Sequence, residues 1–134
     1  MQIQITHGIG NHITIDAFGC EKKALDNKEL IERMLLEIPP KIDMNRLTEP
    51  KVVYHEAKIK EERGITGFII MAESHTSIHT YPEKRFFALD IFSVKEFDVN
   101  VIKDYLQQLF QPKEVKVNIL RREYNDKFKR NQGH

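Results

Sequence analysis

The stretch Met71–Glu83 holds the densest group of chemically reactive side chains in this sequence. It reads Met-Ala-Glu-Ser-His-Thr-Ser-Ile-His-Thr-Tyr-Pro-Glu. A half-buried strand alternates apolar and polar residues, yet only Ile78 is apolar between Ser74 and Thr80. The stretch is therefore predicted to be either surface or a functional site, centred on the pair Glu73-Ser74.

Two histidines four residues apart, His75 and His79, raise the question of a metal site, because they would share one face of a helix. The intervening residues Thr76-Ser77-Ile78 include β-branched side chains, which favour a strand over a helix. In a strand the two imidazoles would lie roughly 13 Å apart at about 3.3 Å per residue, too far to share one ion. We expect no metal site.

Ser74 could act as a nucleophile in two ways. A serine hydrolase would need a strand-to-helix elbow with flanking glycines, which this sequence lacks around Ser74. Alternatively, its hydroxyl could attack the carbonyl of Glu73 and convert the amide to an ester, after which β-elimination cuts the chain and leaves an α-keto group. This route needs a strained turn and a nearby imidazole. Residue types alone do not separate it from an ordinary polar loop.

The elements around this stretch are predicted from hydrophobic periodicity. A short strand spans His12–Asp16, and a helix follows, with Asp26 as N-cap and Glu29 completing a capping box, before Pro39-Pro40 ends it. Two further strands are predicted at Lys51–Lys60 and Gly64–Ala72, joined by a charged turn. The second of these is apolar on both faces, which predicts a central position in the sheet.

The second half of the chain continues the pattern. Phe86–Phe92 alternates as a strand, Asp98 caps a second helix that ends before Pro112, and Glu114–Leu120 is a last strand with one buried face. This order predicts a single α+β domain over residues 1–134, a two-layer sandwich with a mostly antiparallel sheet and both helices on one face. The other sheet face would need cover, and we expect a homodimer to supply it.

Composition narrows the class of protein. The 134 residues are 40% hydrophobic and 31% charged, with a net charge of +1, so we expect neither a nucleic-acid partner nor a membrane partner. One cysteine, Cys20, excludes an intramolecular disulfide. No apolar run approaches the roughly 18 residues that span a bilayer, and the first ten residues do not look like a signal peptide. A cytoplasmic location is expected.

The twelve residues Ala72–Glu83 closely resemble the processing site of the small, pyruvoyl-dependent prokaryotic S-adenosylmethionine decarboxylase proenzymes. A weaker resemblance to the N-terminal region of the same family covers Asn11-His12, Asp16–Cys20 and Leu25–Asn27. The spacing agrees over roughly residues 8–120.

The resemblance implies an enzyme of spermidine biosynthesis that cuts itself between Glu73 and Ser74. It would yield a β chain of residues 1–73 and an α chain of residues 74–134, whose first residue becomes a pyruvoyl group. That group would form a Schiff base with a small amino-acid-type substrate and accept the electrons released with carbon dioxide. The resemblance further implies that His79 and Thr66 assist processing, that Glu83 binds the substrate's ribose hydroxyls, and that dimers complete the active sites.

The sequence departs from the family pattern at two positions. The proton-donating cysteine of the family corresponds to Val94, and its adenine-stacking phenylalanine corresponds to Lys60 or Ala57. Loss of an aromatic platform would suit a smaller substrate, so a pyruvoyl-dependent ornithine or arginine decarboxylase is one alternative and a non-catalytic paralogue is another. His75 or a water could replace the cysteine as proton donor. Because Ser74 and His79 are an odd number of residues apart, we also expect a kink or a break near Ser74, and self-cleavage after Glu73 would supply the break.

Overall fold

One antiparallel sheet of six strands organises the computed structural model, which describes residues 6–125. The strands lie in the order β2-β3-β4-β5-β1-β6, and every neighbouring pair is antiparallel. Their bounds are β1 (Thr6–Phe18), β2 (Lys51–His55), β3 (Gly64–Met71), β4 (Ser74–Tyr81), β5 (Phe86–Ser93) and β6 (Glu114–Asn125).

Helices cover one face of this sheet and enclose the core. They are α1 (Lys22–Leu25), α2 (Lys28–Lys41) and α3 (Val99–Phe110). Alternate residues of the strands pack against apolar stripes on α2 and α3, because one face of each element is apolar. The core side chains include Ile13, Ile15, Ile31, Met34, Leu35, Ile69, Ile78, Leu89, Ile102 and Phe110. The predicted two-layer α+β architecture is confirmed.

The sheet face opposite the helices, called here the open face, has no covering layer among residues 6–125. It carries large side chains that stay partly exposed, with Phe68 at 40% and Ile70 at 42%. Both lie on β3, which was predicted to be central because it is apolar on both faces; β3 is an interior strand paired with β2 and β4, but only its helix-facing side is buried. The exposed apolar residues of β3 nevertheless mark a surface that a second layer would cover.

The first long helix differs from its prediction at both ends. Asn27, not Asp26, is the N-cap of α2, and its side chain accepts a hydrogen bond from Leu30 N. Pro39 and Pro40 do not end the helix but form its last turn before Lys41. The turn persists because buried Pro39 packs into the core and its carbonyl accepts hydrogen bonds from the residues that follow the helix.

Several strand boundaries also shift. β1 begins at Thr6 rather than His12, β2 ends at His55, and the predicted turn before Gly64 contains a short 3-10 turn at Lys60–Glu62. β6 continues to Asn125. The N-cap Asp98 is confirmed, since its carboxylate accepts a hydrogen bond from Asn100 N at 2.9 Å. Within residues 6–125 no helix is long and apolar enough to cross a membrane.

Candidate active site

The Glu73–Ser74 peptide bond lies at the end of a two-residue turn between β3 and β4. Met71 pairs with Ser74, which leaves Ala72 and Glu73 as the turn residues. Glu73 has a φ of +60°, in the left-handed region, where a side chain with a Cβ atom costs about 1 kcal/mol. The strained turn that self-cleavage requires is therefore present immediately before Ser74.

The hydroxyl of Ser74 is buried on the helix side of the sheet. Ser74 is 6% exposed, and the Val94 backbone N–H donates a hydrogen bond to its Oγ at 3.1 Å. The hydroxyl proton thus stays available for transfer, while the N–H can stabilise negative charge that develops on Oγ. β4 runs unbroken from Ser74 to Tyr81, so the strand itself has no kink, and a break at Glu73–Ser74 stays a prediction.

The turn is held from two sides. On one side, the segment after α2 runs along the end of β3, and Asn45 O accepts a hydrogen bond from Ala72 N at 2.8 Å. On the other side, β1 passes close to the residues that hold Ser74. Gly10 (φ +143°) permits this approach, since a Cβ atom there would lie 2.0 Å from Ser93 O. Both contacts limit relaxation of the turn.

Thr66 and His79 form a second cluster on the open face. They are register partners on β3 and β4, and Thr66 Oγ1 lies 3.0 Å from His79 Nδ1. Since His79 is five residues along the strand from Ser74, the two are separated by roughly 17 Å. Their side chains also point to opposite faces. Within one chain, the predicted processing pair does not reach the cleavage bond.

A cavity of about 480 Å³ opens beside this second cluster. Its walls include His55, Glu62, Thr66, His79, Tyr81, Lys84, Phe86 and Ala88. Tyr81 and Phe86 stack with ring centroids 5.7 Å apart. These aromatic rings were not predicted as site residues, because they lie on different strands, although Tyr81 belongs to the motif itself. Aromatic surface is thus present beside the Thr66–His79 pair, although Lys60 provides none.

Glu83 lies in sequence between Tyr81 and Lys84, which line this cavity, but is not itself among the lining residues. Its carboxylate accepts hydrogen bonds from Lys22 Nζ at 3.0 Å and from Arg63 Nη2 at 2.9 Å. These two cations lower the pKa of Glu83, so the side chain is ionised at neutral pH. The predicted ribose-binding acid is therefore held by partners that sequence analysis did not assign to the site.

Neither Val94 nor Cys20 can supply a proton at residue 74. Val94 contributes its backbone N–H, and its side chain packs against the core. Cys20 lies at the opposite end of the sheet, just beyond Phe18, which pairs with Phe86. Burial raises the pKa of the Cys20 thiol to about 11, which makes the thiol a poorer proton donor at neutral pH.

His75, the neighbour of Ser74 in sequence, lies on the open face between two aromatic rings. Its ring centroid is 5.8 Å from that of Phe68 and 5.9 Å from that of Phe92. The ring of His12, which sequence analysis did not select as a site residue, lies 6.3 Å away. Burial first, and then the neighbouring His12, lower the pKa of His75, which favours its neutral form. Among residues 6–125, no group of three or more His, Cys, Asp or Glu side chains is arranged to hold a metal ion.

Replacing Glu73 with glycine tests the strain in the turn. In an uncut Ser74→Ala background, Glu73→Gly is expected to raise the free energy of unfolding by up to about 1 kcal/mol, because glycine adopts a positive φ without the Cβ penalty. Urea denaturation measures the change. The matched control Glu62→Gly, in the 3-10 turn, should lower stability instead. A loss of stability in both variants would show that Glu73 is not strained.

Three comparisons with known proteins agree with one another. A family model described as S-adenosylmethionine decarboxylase matches residues 11–123. A Clostridium botulinum protein named S-adenosylmethionine decarboxylase proenzyme is 35% identical over 110 residues, covering 80% of this chain and 90% of that protein. A protein of the same name from Caldicellulosiruptor saccharolyticus is 34% identical over 90 residues, covering 67% of this chain and 68% of that one. The crystal structure of the adenosylmethionine decarboxylase from Aquifex aeolicus has the same fold, with a TM-score of 0.67 at 23% identity, covering 84% of this chain and 89% of that one.

Proposed function

Because the chain belongs to the S-adenosylmethionine decarboxylase family, we propose that it is a proenzyme that cuts itself between Glu73 and Ser74 and then decarboxylates S-adenosylmethionine for spermidine biosynthesis. The observation that carries the proposal is the strained Glu73 followed by a hydrogen-bonded Ser74 hydroxyl. The ornithine or arginine decarboxylase and the non-catalytic paralogue are not favoured by the names of the relatives. A cytoplasmic location remains an expectation from the sequence.

Self-cleavage would proceed in two stages. Ser74 Oγ attacks the carbonyl carbon of Glu73 and loses its proton, and the Ser74 nitrogen takes up a proton as the amide becomes an ester. A base then removes the Cα proton of Ser74, and the Cβ–Oγ bond breaks to release the Glu73 carboxylate. Water adds to the resulting enamine in its imine form, ammonia leaves, and residue 74 becomes a pyruvoyl group. Relief of strain at Glu73 favours the first stage.

The residues around position 74 fit such a group. Pairing of His75 with Ile70 and Phe92 keeps the start of β4 in the sheet, and the Val94 N–H, which donates to Ser74 Oγ, would be released when that oxygen leaves with Glu73. A pyruvoyl group supplies an electrophilic carbonyl and an electron sink for decarboxylation. With no thiol at Val94, either His75 or a water would deliver the proton to the substrate carbon.

A homodimer would bring the two clusters together. In one chain, Thr66 and His79 lie roughly 17 Å from Ser74 and on the other face of the sheet. Stacking two open faces about a two-fold axis would cover Phe68 and Ile70 and could carry the Thr66–His79 pair of one copy to the cleavage turn of the other. The dimer would thus complete two equivalent sites, with His79 as the base.

Measuring the release of carbon dioxide tests which substrate the processed protein decarboxylates. The processed protein is expected to liberate labelled carbon dioxide from carboxyl-labelled S-adenosylmethionine, and not from ornithine or arginine supplied at the same concentration. The Ser74→Ala protein serves as the blank. Activity confined to ornithine or arginine would overturn the substrate assignment, and activity on none of the three would favour the non-catalytic paralogue.

A further inference from the structure

The hydroxyl of Ser93 ties together the bend that follows β5. It donates a hydrogen bond to Lys95 O at 2.7 Å and accepts one from Lys95 N at 3.1 Å. Ser93 is 0% exposed, so water does not compete for these two bonds. Because both bonds return to a residue two positions along the chain, they fix the backbone of the intervening residue, Val94.

The backbone N–H fixed in this way is the one that contacts the predicted nucleophile. The pairing of His75 with Phe92 places Ser93 opposite Ser74 on the neighbouring strand. The Val94 N–H, one residue further on, donates to Ser74 Oγ at 3.1 Å. The Ser93 hydroxyl therefore controls the direction of a donor without contacting Ser74 Oγ through a hydrogen bond of its own.

Two further contacts hold residues 93–95 from outside. On one side, a Cβ atom at Gly10 would lie 2.7 Å from Val94 Cα, so β1 packs closely against the bend. On the other side, Lys95 Nζ donates to Asp43 O at 3.0 Å and to the Asp43 carboxylate at 3.2 Å. Both of these side chains are exposed, so this ion pair holds the bend more weakly than the buried Ser93 hydroxyl does.

The oxygen that accepts the Val94 N–H gains negative charge in only one stage of the proposed cleavage. When Ser74 Oγ attacks Glu73, the negative charge forms on the carbonyl oxygen of Glu73. When the Cβ–Oγ bond later breaks, its electron pair leaves with Oγ, which becomes part of the Glu73 carboxylate. A donor that is already aimed at Oγ therefore stabilises the second stage more than the first.

We propose that Ser93 is a positioning residue for the second stage of self-cleavage. In that stage a base removes the Cα proton of Ser74, the electron pair left behind forms the Cα–Cβ double bond, and Oγ leaves with the Glu73 carboxylate. The Ser93 hydroxyl keeps the Val94 N–H aimed at this oxygen while the bond breaks. The inference rests on the proposed function, because it concerns one step of the proposed cleavage.

Trapping the ester that separates the two stages tests the role of Ser93. The chain is made by cell-free translation, and samples are denatured at intervals and treated with neutral hydroxylamine, which cuts esters and leaves ordinary amides intact. Mass spectrometry then shows an ester as residues 74–134 beginning with serine, and completed cleavage as the same residues beginning with a pyruvoyl group. In Ser93→Ala the ester should persist about tenfold longer than in the unmodified protein, because the donor is no longer fixed. The rate of ester formation should change by less than about twofold, because little charge forms on Oγ in that stage.

Three further variants separate positioning from general stability. Ser93→Thr keeps the hydroxyl and should return the ester lifetime to that of the unmodified protein. The matched control Ser77→Ala, on the open face, should show no persistent ester. If Ser93→Ala does not fold, Val94→Pro, which removes the N–H itself, must show the persistent ester in its place.

The outcomes distinguish this inference from the proposed function. A folded Ser93→Ala protein with the ester lifetime of the unmodified protein would overturn the inference and leave self-cleavage standing. Equal slowing of both stages, without a persistent ester, would also overturn it, because a general loss of structure would then explain the effect. An unmodified protein that forms neither ester nor fragments would overturn the proposed function, and the inference with it.

Discussion

Replacing Ser74 with alanine is expected to abolish self-cleavage and leave a single 15.8 kDa chain on denaturing mass spectrometry. The variant lacks the Oγ atom that would attack Glu73, and no other hydroxyl adjoins that bond in the chain. The unmodified protein should instead yield two fragments, residues 1–73 and 74–134, and the second should have a blocked N-terminus. The difference is all or none, because the nucleophile is removed rather than weakened.

The fold should survive this substitution. Ser74→Ala removes one hydrogen bond and leaves the Val94 N–H without its acceptor, a cost of about 1 to 3 kcal/mol. The matched control Ser77→Ala removes a hydroxyl from the open face of the same strand and should cut itself normally. Two fragments from the Ser74→Ala protein, or one uncut chain from the unmodified protein after long incubation, would contradict the cleavage site.

Strand periodicity predicted much of the sheet, and its errors have physical causes. Alternation in Phe86–Phe92 placed Phe87, Leu89 and Ile91 on one face, and the structure buries all three. The same reasoning failed for β3, where an apolar run was taken to mean burial on both faces. The helices of a single chain cover only one face of the sheet. The apolar run of β3 therefore indicates a second layer over the open face, which the sequence alone cannot identify.

Local rules also failed where tertiary contacts outweigh them. Pro39 and Pro40 were predicted to end α2, yet they occupy its last turn, because a buried Pro39 contributes packing that offsets lost backbone hydrogen bonds. Asp26 was predicted to cap the helix. Its carboxylate instead binds Arg63, and Asn27 takes the cap position one residue later. Pairing across 37 residues cannot be read from a capping pattern.

The candidate site was predicted as a set of residues but not as an arrangement. The motif around Ser74 identified the reactive stretch, yet strand alternation places Ser74 and His79 on opposite faces. The pairing of Thr66 with His79 follows from the two-residue turn at Ala72–Glu73, which fixes the register of β3 against β4. Once that register is known, the separation of the two clusters follows, and this separation supports the proposed homodimer.

Mixed dimers give the sharpest test of this requirement. Chains carrying Ser74→Ala and chains carrying His79→Ala should each stay uncut when expressed alone. When the two are co-expressed with different tags, the intact Ser74 of the His79→Ala chain would meet the intact His79 of its partner. About half of the His79→Ala chains should then be cut, since random pairing gives each of them a complementary partner half of the time.

The tags allow the dimers to be separated before mass spectrometry, so that cleavage can be assigned to the mixed species. Co-expression of His79→Ala with a chain carrying both substitutions is the matched control, because that dimer has no His79 and should stay uncut. Cleavage of the His79→Ala chain alone would show that His79 is not needed. Purified mixed dimers that stay uncut would show that it acts within its own chain, which would require Ser74 and His79 to cross roughly 17 Å and the thickness of the sheet. The strand that joins them is paired on both sides and buried at Thr76 and Ile78, so a contribution from the partner is the arrangement that preserves the sheet.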